Sequence, residues 1–229
     1  LKKVMELLDI EEESFLDYTK AELLLSLGWI DEAEEHIMRA ERSAGGNREE
    51  LYPIHLLHGK IMCARCLDSK EIMKEFEKVI GIDDSPDSYL KCAETLCENG
   101  YTEEAKTILD EGIGKYPNRT DFYLSKADMV IEIAEEMKDA NLLREAISAL
   151  DEITKMLEED ERWIVDAEYE DVCSVLTSLG EYERTEELSR RWADRCGSMR
   201  AKNYLASVLK ERAKREEADK IYEEIIEEN

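Results

Sequence analysis

Proline and glycine are scarce in this chain of 229 residues, at three and ten copies. That is too little turn punctuation for a protein of many short strands. Aromatic residues reach only 7%. No stretch approaches eighteen consecutive apolar residues, so no transmembrane helix is expected. Positive charge is also in short supply: 31 Lys and Arg face 57 Asp and Glu, for a formal charge of −26. Phosphate contact relies on clustered Lys and Arg, which argues against nucleic acid and anionic membrane surfaces as partners. Six cysteines do not make a disulfide-dense scaffold, and most stand at apolar helix positions. That usage points to a reducing, cytoplasmic setting. The opening Leu1-Lys2-Lys3-Val4-Met5-Glu6 lacks the apolar region of a signal peptide. A start at Leu1 instead of Met suggests a piece trimmed from something longer.

What is present is helix-forming material. Apolar residues make up 43% and charged residues 38%, a profile of helices with wet outer faces and apolar inner stripes. The clearest stretch runs from Asp87 to Asn118, with Tyr89, Ala93 and Leu96, then Gly100-Tyr101, then Ala105, Leu109 and Pro117. Steps of three and four residues mark two helices broken at Glu98-Asn99-Gly100 and closed by Pro117. Small residues at Ala93 and Ala105 let the two approach closely. The pattern recurs. First-helix small positions are Ala21, Gly59, Ala93, Ala127, Cys173 and Ala206; second-helix markers are Ala33, Ile72, Ala105, Ala146, Thr185 and Ala218. The markers are separated by 39, 33, 41, 39 and 33 residues, as in degenerate repeats with insertions. One insertion falls in the fourth unit, around Glu132 to Lys138.

This tandem pattern resembles the tetratricopeptide repeat, a helix-turn-helix unit of 34 residues with small residues in both helices and a Pro at its end. The resemblance covers nearly the whole chain and implies an all-α fold, an α-α superhelix of about six helix pairs in one domain over 1–229. The units fall at approximately 14–46, 48–84, 86–118, 119–159, 161–197 and 199–229, leaving Leu1 to about Glu13 as a capping helix. Departures are the absence of Trp at the start of every first helix and the non-Ala markers in the second and fifth units. Another array of helix pairs, or a bundle resembling the acidic 14-3-3 proteins, is the runner-up architecture.

Each pair in such an array exposes an apolar face that its neighbour covers, and the product is a preformed surface. In the resembled family the first helix of each pair lines the concave face. That register places Tyr18, Glu22, Lys60, Glu94, Asp128, Glu170, Ser174 and Asn203 in a peptide-binding groove, with Leu25, Leu56, Cys63, Leu90 and Cys97 beside them. An acidic mid-groove with apolar flanks favours a protein or peptide carrying Lys or Arg and apolar anchors. The carboxylate clamp of heat-shock co-chaperones is disfavoured: its positions correspond to Tyr18, Glu22, Leu57, Asp87 and Lys91, where Glu22 and Asp87 would repel a terminal carboxylate.

Charge is uneven. From Arg184 to Lys220 there are eleven Lys and Arg against seven acidic residues. Pairing between helix neighbours outweighs docking of an acidic partner as the reading of that segment. The chain ends at Ile225-Ile226-Glu227-Glu228-Asn229 without a polar capping helix, so Leu209, Tyr222 and Ile225 are expected to leave an apolar face open. A homodimer through that end is one way to cover it.

Chemistry finds little support. Cys63-Ala64-Arg65-Cys66 has C-x-x-C spacing and Cys92 and Cys97 follow, but the helical register points Cys63 and Cys97 into the groove, Cys92 into helix packing, and puts Cys66 where Gly ends a first helix. His36, His55 and His58 are the only imidazoles. His55 and His58 stand one turn apart with no carboxylate at ligand spacing on that face, which reads as structural histidines and no metal site. Trp29, Trp163 and Trp192 read as core. No phosphate-loop, dinucleotide, zincin or nucleophile-elbow motif occurs. The expectation is a non-catalytic interaction scaffold or adaptor without cofactors. A regulatory or sensor module cut from a longer multidomain protein is the alternative, and a Cys- or metal-dependent enzyme ranks below it.

Overall fold

The computed structural model describes residues 13–137, 140–159 and 166–227. Among them are twelve α-helices and no strand: α1 (Glu13–Ser26), α2 (Ile30–Ser43), α3 (Arg48–Ala64), α4 (Ser69–Ile82), α5 (Pro86–Glu98), α6 (Thr102–Lys115), α7 (Thr120–Met137), α8 (Ala140–Glu159), α9 (Asp166–Ser178), α10 (Tyr182–Cys196), α11 (Met199–Glu211) and α12 (Arg215–Glu227). They pack as six successive hairpins, odd helix against the following even helix. The extra residues of the fourth unit lengthen its first helix, which continues to Met137.

One turn, repeated, makes the hairpins. At the end of α1 the amide of Trp29 donates to the Leu24 carbonyl at 2.9 Å, across a left-handed Gly28 (φ 78°). Tyr101 to Leu96 across Gly100 and Glu181 to Leu176 across Gly180 repeat it at 2.9 Å. Leu67 to Met62 across Cys66 (φ 54°) repeats it at 3.3 Å, and Lys214 to Leu209 across Ala213 (φ 61°) at 2.9 Å. This six-to-one bond with a left-handed residue satisfies carbonyls that a helix end otherwise leaves bare. Several first helices begin on a capping side chain instead. Asn47, Ser85 and Ser198 accept from the amides of Glu49, Ser88 and Ala201, each removing one orphan donor.

Close packing follows from the small residues. All six second-helix markers, Ala33, Ile72, Ala105, Ala146, Thr185 and Ala218, are fully buried. Facing them, Ala21, Ala127, Cys173 and Ala206 are equally buried and Ala93 nearly so. At Gly59 a Cβ would lie 2.8 Å from the ring of Phe76, so the missing side chain on α3 is the space that Phe76 of α4 fills. A large ring on one helix is matched by the missing side chain on the other, which keeps this seam filled.

The chain divides into two compact units, residues 1–116 and 117–229. In the first, Ala33, Ile37 and Ala40 of α2 share a core with Ile54, Leu57 and Ile61 of α3. Hydrogen bonds spanning about one repeat tie equivalent turns: Tyr101 Oη donates to the Leu67 carbonyl at 3.3 Å, and Tyr116 Oη to the Asp84 carbonyl at 2.7 Å. In the second unit, Trp192 is fully buried and stacks on Tyr169 at 5.9 Å, its indole N–H donating to Asp166 at 2.8 Å. Leu205, Ala206 and Leu209 close the last pair on Ala218.

Three expectations need correction. Trp29 is not core: it is 57% exposed, because it sits in the α1–α2 turn itself. Trp163 lies outside the described residues. Leu209 is fully buried and Ile225 is covered too, leaving Ile226 as the exposed large apolar residue of that helix. The basic segment is engaged in pairs that mostly cross between helices instead of following one helix. Glu186 of α10 receives Arg190 at 2.9 Å, Arg212 at 2.6 Å and Lys214 at 2.7 Å, while Arg184 pairs with Asp151, Arg190 with Glu217 and Arg200 with Glu170.

Candidate functional site

Two arrangements on the first helices bear on function. The first is their outward face. In the first unit α1 touches α3 and α3 touches α5; in the second, α7 touches α9 and α9 touches α11. First helices of neighbouring pairs therefore lie side by side within each unit.

In the first unit Glu22, Lys60 and Glu94 are exposed, and Lys60 lies 3.5 Å from Glu98. Tyr18 is half-buried, and burial together with the Glu22 carboxylate raises its phenol. In the second unit Asp128, Ser174 and Asn203 are exposed while Glu170 is partly covered and paired with Arg200. Partial desolvation and the Asp171 carboxylate raise the Asp128 carboxyl above its ordinary value. Two first helices thus hold like charges close enough to interact, which a cationic side chain would relieve. Leu57, where a carboxylate clamp needs a polar residue, is buried, and Lys91 lies over the Tyr52 ring at 5.9 Å.

Cys63 departs from the expected groove position: it is buried, and burial pushes its thiol up to about 12. Cys92 and Cys173 are buried with thiols likewise pushed up to about 12, which makes them inert packing residues. Cys66 is exposed.

The second arrangement was not anticipated. His55 and His58 lie on the buried side of α3, one turn apart, and Glu75 of α4 reaches both. Glu75 Oε1 is 2.6 Å from His55 Nδ1 and 3.0 Å from His58 Nδ1, and its other oxygen accepts from Lys78 at 2.7 Å. From α2, Glu34 approaches His58 Nε2 at 3.6 Å and Glu41 approaches His55 Nε2 at 4.0 Å. The expectation of no carboxylate within reach is therefore wrong. The acids come from α2 and α4, the helices on either side of α3. Burial alone would push the Glu75 carboxyl up, but hydrogen bonds from His55, His58 and Lys78 hold it far below the usual carboxylate range. Burial likewise pushes the His58 imidazole down, and the Glu75 hydrogen bond with the Glu75, Glu34 and Glu41 charges reverses that, leaving it raised. A signal for this cluster was present: Glu75 stands three residues after its marker, where four other units carry Ile108, Ala149, Leu188 and Ile221 and the first carries His36.

Short hairpins, a recurrent left-handed turn and buried small markers in both helices define a tetratricopeptide-like helical repeat. No family model and no curated protein matches the chain. Solved structures do. A tetratricopeptide repeat protein from Parabacteroides merdae is 16% identical, with a TM-score of 0.45, over 95% of this chain and 80% of its own. MamA is 19% identical with a TM-score of 0.45, over 68% of this chain and 85% of its own. PilF of Pseudomonas aeruginosa is 16% identical with a TM-score of 0.45, over 92% and 89%. No described helix is long and apolar enough to cross a membrane.

Proposed function

We propose that this protein is an interaction scaffold whose first helices take up a peptide or helix of another protein, one bearing Lys or Arg together with apolar anchors. The observation that supports this most directly is the acidic character of outward first-helix positions in both units, Glu22 and Glu94 in one and Asp128 with Asp171 in the other. A basic side chain bridging Asp128 and Asp171 neutralises a repulsion the free protein carries. Apolar contact is available from Leu25 and Leu90, which are only partly covered.

The test is selection of binding peptides from a random display library on the native chain and on Glu22→Lys, Glu94→Lys and Asp128→Lys combined. Peptides from the native chain should be enriched in Lys and Arg and should bind the variant at least about tenfold more weakly, a difference of about 1.4 kcal/mol. Their binding should also weaken as salt rises. Equal binding to both proteins would remove the charged first-helix face from the account.

A further inference from the structure

We propose that His55, His58 and Glu75 form a binding site for a divalent transition-metal ion of the zinc type. The inference is independent of the peptide-binding face.

The donor atoms already converge. One ring nitrogen each of His55 and His58 and a Glu75 carboxylate oxygen lie within 4.8 Å of one another, and Glu75 Oε1 is 2.6 and 3.0 Å from the two Nδ1 atoms. Ligands at about 2.0–2.1 Å from a tetrahedral ion stand about 3.3 Å apart, so each Glu75–histidine contact would lengthen by less than about 1 Å. Two imidazoles and one carboxylate suit zinc and its neighbours better than calcium or magnesium, which favour all-oxygen sites. A solvent molecule would complete four-coordination.

The outer groups carry the argument further. A neutral imidazole has one N–H and one lone pair. Here each ring faces a carboxylate on both sides: Glu75 at Nδ1, and Glu34 or Glu41 near Nε2 at 3.6 and 4.0 Å. A neutral ring can donate to only one of them. An ion at the two Nδ1 atoms takes their lone pairs and leaves an N–H at each Nε2, on the side where Glu34 and Glu41 lie at 3.6 and 4.0 Å. That is the carboxylate–histidine–metal arrangement that orients metal-bound imidazoles. One divalent ion then stands in for the protons that otherwise bridge the rings to Glu75. The ligands come from α3 and α4 and the outer carboxylates from α2, so the ion would pin the first two hairpins together.

The test uses the full chain stripped with chelator. Titration with zinc chloride should give one ion per chain at about micromolar affinity or tighter, with a rise in melting temperature. His55→Gln with His58→Gln should weaken binding by more than about 100-fold, and Glu34→Gln by about tenfold. Cys63→Ser with Cys66→Ser should bind as the native chain does. If the histidine variant fails to fold, cobalt substitution of the native chain decides. A d–d spectrum without a thiolate-to-cobalt charge-transfer band supports the site; a thiolate band or no cobalt uptake overturns it. Zinc binding unchanged in the folded histidine variant overturns it equally.

Discussion

Cys66 occupies a backbone position that costs it something. Its φ of 54° is left-handed, and at the matching turns Gly28, Gly100 and Gly180 hold the same conformation without a Cβ. A side chain there costs roughly 1–2 kcal/mol, and glycine returns about 0.5–1 kcal/mol of that in unfolded-state entropy. Cys66→Gly should therefore stabilise the protein by about 0.5–1 kcal/mol, read as a higher midpoint in urea denaturation at unchanged slope. A lower midpoint would mean that the Cys66 side chain makes a contact worth more than its strain. The same residue illustrates what could be read in advance: its place at the end of a first helix follows from alignment with the glycines of the other units. The destination of Glu75 did not follow. Its partners His55 and His58 lie 20 and 17 residues away on another helix, and only the crossing of α3 and α4 brings them together.

Among the elements, α10 is held to α11 and α12 by one carboxylate. Glu186 is 8% exposed at its side chain and receives Arg190 from its own helix, Arg212 from the end of α11 and Lys214 from the turn before α12. Burial pushes its carboxyl up, but the hydrogen bonds from Lys214 and Arg190 prevail and the net shift is downward. A depressed carboxyl contributes stability above its unfolded value of about 4.5, and loses it as pH falls through the folded value. Glu186→Gln should cost about 1–2 kcal/mol at pH 7, less than a fully buried pair because the cations remain partly solvated. The deficit should shrink as pH drops below about 4.5, so the variant's stability profile in acid is the flatter one. Parallel profiles would assign the acid sensitivity elsewhere. Helix existence and pairing were legible here because three- and four-residue periodicity and small markers are local signals. Lateral partners were not: Glu186 meets Arg212 and Lys214 across 26 and 28 residues.

For the whole molecule, the division at Tyr116 and Pro117 gives each unit three hairpins and an interior of its own. Arrays of this kind derive stability from each pair and its immediate neighbour, so three pairs suffice for a core. Residues 117–229 produced alone should be helical by circular dichroism and should unfold cooperatively on heating. A featureless, non-cooperative melt would show that this half depends on the other.

The pairing of arginine and lysine near the C-terminal end has an electrical consequence. Arg184, Arg190, Arg200, Arg212 and Lys214 are each clasped by a carboxylate of the same unit. The stretch that looks cationic as a string of letters is thus largely self-neutralised. To an approaching polyanion the molecule offers little foothold there, and with 57 acidic side chains in the chain, its far field is that of an anion.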